Sequence, residues 1–277
     1  MEYQLIALDM DGTVLTSEKK ISPRTDGAIK AALRAGKEVI FATGRCPSEM
    51  WEHFDAYPDM KYAMCLSGAM VKDLRTGEAL ADITVPRELA CRVLELMKQV
   101  NGMMSVYAGD DVFVEESRLD DMEYFGCSCF EELYRRCAVR VDRIEDALEQ
   151  RGDRVYKMNI YCHDEANWKK AAELLKELSL SFASGIPNNF EISPMNVNKG
   201  RGLELLCEAT GIPIEAAIAV GDEGNDLEMI RRAGLGVAMG NAAIPVLEAA
   251  DAVTADCDHD GVAEVIEGCL LGGLHCR

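Results

Sequence analysis

"LIALDMDGTVL", Leu5 to Leu15, sets two carboxylates, Asp9 and Asp11, directly behind an apolar run. The run has the composition of a buried β-strand. If the strand continued unbroken, its period-2 geometry would turn both carboxylates to one face. Two like charges that close repel, and each is costly to bury beside apolar residues. The segment is therefore either an exposed turn or one side of a cation site.

The rest of the chain places that strand in an alternating pattern. "SPRTDGAIKAALRAG" predicts a helix with Ser22 as N-cap, Pro23 at its first position and a stop at Gly36. "KEVIFATGR" then reads as a second strand, "PSEMWEHFDAY" as a helix and "YAMCLSGAM" as a third strand. Strands alternating with amphipathic helices define an α/β fold, a Rossmann-like core with a parallel sheet. From about Asp82 the pattern changes. "MMSVYAGDDVFVEE" predicts a hairpin turning at Gly109-Asp110, among further strands and helices of an α+β insert. Alternation resumes with "NKGRGLELLCEATG" and "AAIAVGDEGND". The expected division is a discontinuous core of residues 1–82 and 188–277, with an inserted domain of residues 83–187.

Composition narrows the function. The chain has 277 residues, 48% of them apolar, enough for one large or two medium domains. Lys and Arg number 29 against 48 Asp and Glu, a net charge of −19. That field repels nucleic acid and anionic membranes, so neither is an expected partner. An anionic substrate must be attracted locally, by a metal or a few placed cations. No apolar run approaches the roughly 18 residues of a membrane span. The opening "MEYQLIALD" lacks the basic start of a signal peptide, and a cytoplasmic location is expected. The eleven cysteines form no CxxC and read as reduced, buried small residues. The expected assembly is a monomer or weak homodimer.

Polar clusters recur where strands end and helices begin: Asp9, Asp11 and Thr13; Thr43, Gly44 and Arg45; Lys199; and Asp222 with Asn225 and Asp226. In open α/β sheets ligands bind outside the carboxyl ends of the strands, so one fold would gather all of these at one crevice. Asp222 and Asp226 could each serve as a helix cap or favour a helix dipole. Joined with Asp9 and Asp11 they form an acidic site that needs a cation. A few hard oxygen ligands suit Mg²⁺, which keeps waters for a substrate phosphate. Thr43 and Gly44 offer a hydroxyl and backbone N–H groups to a phosphate oxygen, and Lys199 a compact positive charge. A carboxylate in line with phosphate and Mg²⁺ suggests aspartyl-phosphate chemistry.

In these residues the chain resembles the haloacid dehalogenase-like phosphohydrolases. "DMDGT" matches the family's DxDGT signature, and "TGR", "NKG" and "GDEGND" match its later motifs in order. The long insert and the GDxxND form resemble the Cof-like subfamily, which carries a large α/β cap. The resemblance implies Asp9 as nucleophile and Asp11 as general acid, then base. Mg²⁺ would be held by the side chains of Asp9 and Asp222 and the backbone carbonyl of Asp11, with Asp226 supporting it. Thr43, Lys199 and Asn225 would contact the phosphoryl group, assisted by the Met10 and Gly44 amides, with Arg45 also on the substrate side. The substrate implied is a small phosphorylated metabolite, either a sugar phosphate or a phosphorylated cofactor precursor. A phosphomutase with the same nucleophile and a non-catalytic phospho-metabolite sensor are the alternatives. "SGA" at Ser67–Ala69 departs from the family's usual Asn-Gly-Ala.

"DCDHDGVAEVIE", Asp256 to Glu267, satisfies the EF-hand expression. An EF-hand needs a helix entering the loop, whereas "DAVTA" before it reads as a strand. The expectation is a polar turn capping the last helix, with Val262, Val265 and Ile266 buried. The four histidines, His53, His163, His259 and His275, show no metal-ligand spacing.

Overall fold

The computed structural model describes residues 2–152 and 154–272, so His275 lies outside the described residues. Fourteen strands follow in chain order among the described residues. Leu5–Leu8 (β1) and Glu38–Phe41 (β2) open the chain, then Tyr62–Cys65 (β3), Met70–Asp73 (β4) and Ala79–Asp82 (β5). Gly102–Ala108 (β6), Asp111–Glu115 (β7), Val139–Val141 (β8), Val155–Cys162 (β9), Ser181–Ala183 (β10) and Asn189–Ser193 (β11) come next. Ala217–Gly221 (β12), Leu235–Ala238 (β13) and Ala252–Val253 (β14) complete the series. The chain divides into two compact units, one of residues 1–45, 52–82 and 197–277, the other of residues 46–51 and 83–196.

In the first unit, β14-β13-β12-β1-β2 form a parallel sheet. Every residue of β1 and β12 is buried, as expected of strands covered on both faces. The chain passes from β1 to β2 on one side and returns to β12 on the other. The β1/β12 boundary is thus the topological switch point, where a crevice opens beyond the carboxyl ends of the strands. Leu8 pairs with Val220, so Asp9 and Asp222 leave adjacent strands near the same level. The helix Pro23–Arg34 starts as predicted, the Ser22 side chain accepting from the Thr25 amide.

The third strand departs from the reading. β3 heads a separate antiparallel sheet, β3-β4-β5, and meets the parallel sheet through a single bridge, Ala42 with Met64. "CLSGAM" is not continuous strand, because Leu66, Ser67 and Gly68 all have positive φ. The Ser67 amide in that turn donates to the Thr43 carbonyl at 2.9 Å.

The second unit is a six-stranded sheet, β10-β11-β9-β6-β7-β8, antiparallel except between β7 and β8. Ala108 pairs with Asp111, which sets the predicted hairpin turn at Gly109-Asp110. Val106, Met158, Ile160 and Ile192 share an apolar cluster with Val93 and Leu94 of the helix Arg87–Met97. On the alternate strand positions the Tyr134 hydroxyl bonds those of Ser105, Tyr107 and Tyr161. β11, assigned to the core by the boundary at 188, pairs with β9 and belongs to this unit, which runs to residue 196. Among the described residues nine cysteines are free thiols, as read, but Cys91 and Cys129 are exposed rather than buried, and Cys269 is disulfide-bonded, which corrects the reading of all the cysteines as reduced and buried.

The EF-hand-like stretch forms no EF-hand. β14 precedes it, and Asp256 caps a short 3-10 turn, Cys257–His259, by accepting from the Asp258 amide at 3.0 Å. Asp258 accepts from the Ser17 amide and hydroxyl at 2.9 and 3.0 Å, and Ser22 bonds Asp260. These carboxylates are committed to protein donors, and Val262, Val265 and Ile266 are buried.

Candidate active site

β1 ends at Leu8, so Asp9 and Asp11 do not lie on a continuous strand. The Leu15 amide returns to the Met10 carbonyl at 2.8 Å, and the chain turns through Gly12 at φ +81°. A Cβ on Gly12 would lie 2.2 Å from Asp222 Oδ2, so this position admits only glycine, for its angle and for the approach of the acid. Thr13 Oγ1 donates to Asp222 Oδ1 at 2.9 Å, tying the turn to the end of β12.

Asp9, Asp222 and Asp226 each offer an oxygen within 4.8 Å of the others, and all are buried. Lys199 is their counterion. It opens the helix Lys199–Thr210, whose N-cap Asn198 accepts from the Arg201 amide at 2.8 Å. Wholly buried, its Nζ donates to Asp9 Oδ1 and, at 2.6 Å, to Asp226 Oδ1. Asp226 Oδ2 accepts from the Asp222 and Glu223 amides, both at 3.0 Å. Both oxygens of Asp226 are thus engaged.

Electrostatics separates the carboxylates. Burial pushes Asp9 up to about 7; Lys199 opposes this, and the charges of Asp226 and Asp222 add to it. Asp222 is pushed up to about 6, again mainly by burial, with the Thr13 hydrogen bond opposing. Burial works against the charge of Lys199, but Asp9 and Asp226 together hold its pKa above the ordinary value. Asp11 goes the other way. Burial raises it, yet the Arg45 guanidinium and Lys19 outweigh burial and hold it below the usual carboxylate range.

This donor set fits one divalent cation. Lys199 and the two amides satisfy Asp226, which leaves Asp9 and Asp222 with more buried negative charge than one ammonium offsets. Hard carboxylate oxygens in small number are ligands for Mg²⁺.

The remaining residues take distinct places. Thr43 is buried after β2, its Oγ1 accepting from the Arg45 amide at 3.1 Å. Gly44 lies between them. Met10, between Asp9 and Asp11, is wholly buried. Asn225 is exposed in the 3-10 turn Gly224–Asp226. Arg45, expected on the substrate side, grips Asp11, with Nε 3.1 Å from Oδ2 and Nη2 2.8 Å from both oxygens. Lys19 adds a bond to Asp11 Oδ1 at 3.0 Å. Lys19 and Asn241 were not legible as site residues. Asn241 donates to Asp222 Oδ2 at 3.3 Å, and its only local signal was the turn after "GLGVAMG".

A parallel sheet whose adjacent strands end in buried aspartates beside a buried lysine defines an enzyme site for a cation and an anionic group. Comparison places it: the chain matches the haloacid dehalogenase-like hydrolase family over residues 6–266 and belongs to that family. It is 29% identical over 297 residues to phosphatase YwpJ of Bacillus subtilis (strain 168), covering 96% of this chain and 100% of that one. Pyridoxal phosphate phosphatase YbhA of Escherichia coli (strain K12) is 28% identical over 279 residues, covering 98% and 100%. The crystal structure of a haloacid dehalogenase-like hydrolase from Bacteroides thetaiotaomicron superposes with a TM-score of 0.82 at 28% identity, covering 96% and 99%.

Proposed function

We propose that the protein is a Mg²⁺-dependent phosphatase that hydrolyses small phosphorylated metabolites through an aspartyl-phosphate on Asp9. The observation that carries this reading is the buried Asp9–Lys199–Asp226 chain with Asp222 beside it, three carboxylates facing a single ammonium. Asp9 and Asp222, with the Asp11 carbonyl, would hold Mg²⁺, and Asp226 would act through Lys199. When bound, the ion neutralises charge on Asp9 and on the phosphoryl oxygens.

An Asp9 oxygen attacks phosphorus while the bond to the leaving oxygen breaks. Asp11 supplies the proton that the leaving oxygen takes up. Asp11 then accepts a proton from the water that attacks the aspartyl-phosphate, releasing phosphate and restoring Asp9. Lys199, Thr43 and the Met10 and Gly44 amides would hold the transferring group, with Asn225 at the rim. Arg45 and Lys19 keep Asp11 ionised, so its protonation requires that pairing to loosen. A substrate phosphate competing for Arg45 would loosen it.

The second unit is the proposed cap, and substrate selection is assigned to it. Sugar phosphates lead the candidate substrates, followed by cofactor precursors of the pyridoxal and flavin type; the pyridoxal phosphate phosphatase relative supports the second group. Nine free thiols among the described residues support a cytoplasmic location, and the disulfide-bonded Cys269 counts against it. The test is a phosphate-release screen over these metabolites, with and without Mg²⁺, using wild type and Asp9→Asn. Metal-dependent release lost in Asp9→Asn supports the reading. Phosphoryl return to product without release would make it a mutase, and Asp9→Asn turning over normally would end the covalent mechanism.

A further inference from the structure

Asn241 belongs to none of the motifs, yet its amide joins three segments of the first unit. Nδ2 donates to the Gly12 carbonyl at 2.9 Å and to Asp222 Oδ2 at 3.3 Å, and Oδ1 accepts from the Cys257 amide at 3.0 Å. A backbone N–H can only donate and a carbonyl can only accept, so these neighbours fix which end of the amide faces which. Asp222 is thereby held through both oxygens, by Thr13 Oγ1 on Oδ1 and by Asn241 Nδ2 on Oδ2. The same nitrogen pins the Gly12 turn, which packs directly on that carboxylate.

We propose that Asn241 is a positioning residue that aims the Asp222 carboxylate at the metal, and that the Cys257 N–H holds Asn241 in place. The proposal rests on the Mg²⁺ reading of the site. It gives the acidic turn a role other than calcium binding. Asp256 caps the turn, Asp258 anchors it to Ser17, and the turn presents the Cys257 amide to Asn241. Removing a donor to a ligating carboxylate lets it rotate away, and loss of such partners costs about 10–100-fold in metal affinity. Asn241 is exposed, so the lower end of that range applies.

The test is direct Mn²⁺ binding without substrate, read from the free-ion electron paramagnetic resonance signal, with melting temperatures taken in EDTA. Asn241→Ala should weaken Mn²⁺ binding about tenfold. Cys257→Pro removes the N–H together with the partly buried thiol. Proline suits this first position of the 3-10 turn, because Asp256 before it is extended, at φ −74° and ψ 174°, and not helical. This variant should weaken binding several-fold, and it carries the test alone if Asn241→Ala does not fold. Both should melt in EDTA within about 2 °C of wild type. A lowered melting temperature with unchanged Mn²⁺ affinity would make Asn241 merely structural and overturn the proposal. Unchanged affinity in Cys257→Pro alone would remove Cys257 from it. A wild type that binds no Mn²⁺ would overturn the metal reading itself.

Discussion

Lys199 Nζ lies 2.6 Å from Asp226 Oδ1, and neither side chain is exposed at all. A buried ion pair that loses one partner leaves a charge without solvent, at a cost of about 3–5 kcal/mol. Asp226→Asn should therefore destabilise the protein by about that amount, because an amide cannot both accept from two backbone N–H groups and keep its remaining atom an acceptor for Lys199. Denaturant melts of the metal-free proteins check this. A loss well under 1 kcal/mol would mean that Lys199 finds full compensation from Asp9.

Gly12 meets Asp222 so closely that a side chain cannot be fitted without moving the acid. Gly12→Ala should shift Asp222 by about an ångström and lower kcat about a hundredfold, since misplacements of that size cost this much. Added Mg²⁺ should stabilise the variant less than wild type in thermal melts. Equal stabilisation would show that the turn adapts.

These contacts mark how far the sequence could be read. Asp9 and Asp222 were legible because each directly follows an apolar run, and adjacent parallel strands bring such ends together. Lys199 was legible as the first residue of a capped helix. The pairing of Arg45 with Asp11 was not, because a cation beside a phosphate-type loop fits a phosphate as well as a carboxylate across the crevice. Asn241 contacts Gly12, 229 positions earlier, a closure that no local pattern encodes. β11 was misassigned for a similar reason: its strand pattern is clear, but its partner β9 lies upstream across a helix.

Protons and metal should compete for the same oxygens. Burial raises Asp9 to about 7 and Asp222 to about 6, so the folded metal-free protein keeps protons that the unfolded chain has released. By linkage, these groups favour the metal-free fold at low pH, and that contribution is lost as pH rises from about 4 through about 7. Mg²⁺ requires the ionised forms, so its stabilisation should move oppositely. The Mg²⁺-induced rise in melting temperature should be small near about pH 5.5, grow through about 6.5 and level off above about 7.5. A shift independent of pH over that range would exclude Asp9 and Asp222 as the ligands.

Arg45 holds both oxygens of Asp11, and the sign of its effect on that carboxyl can be tested. Burial alone would raise Asp11, but Arg45 and Lys19 hold it low. Arg45→Ala leaves Lys19, the more exposed partner, to oppose burial, and the Asp11 pKa should rise. If Asp11 is the general acid, kcat for a sugar phosphate falls as pH climbs past that pKa, so the alkaline limb should move to higher pH in the variant. p-Nitrophenyl phosphate, whose leaving group needs no proton, should show no such movement. An unmoved limb together with a raised KM would instead place Arg45 on the substrate phosphate, with Asp11 set by other contacts.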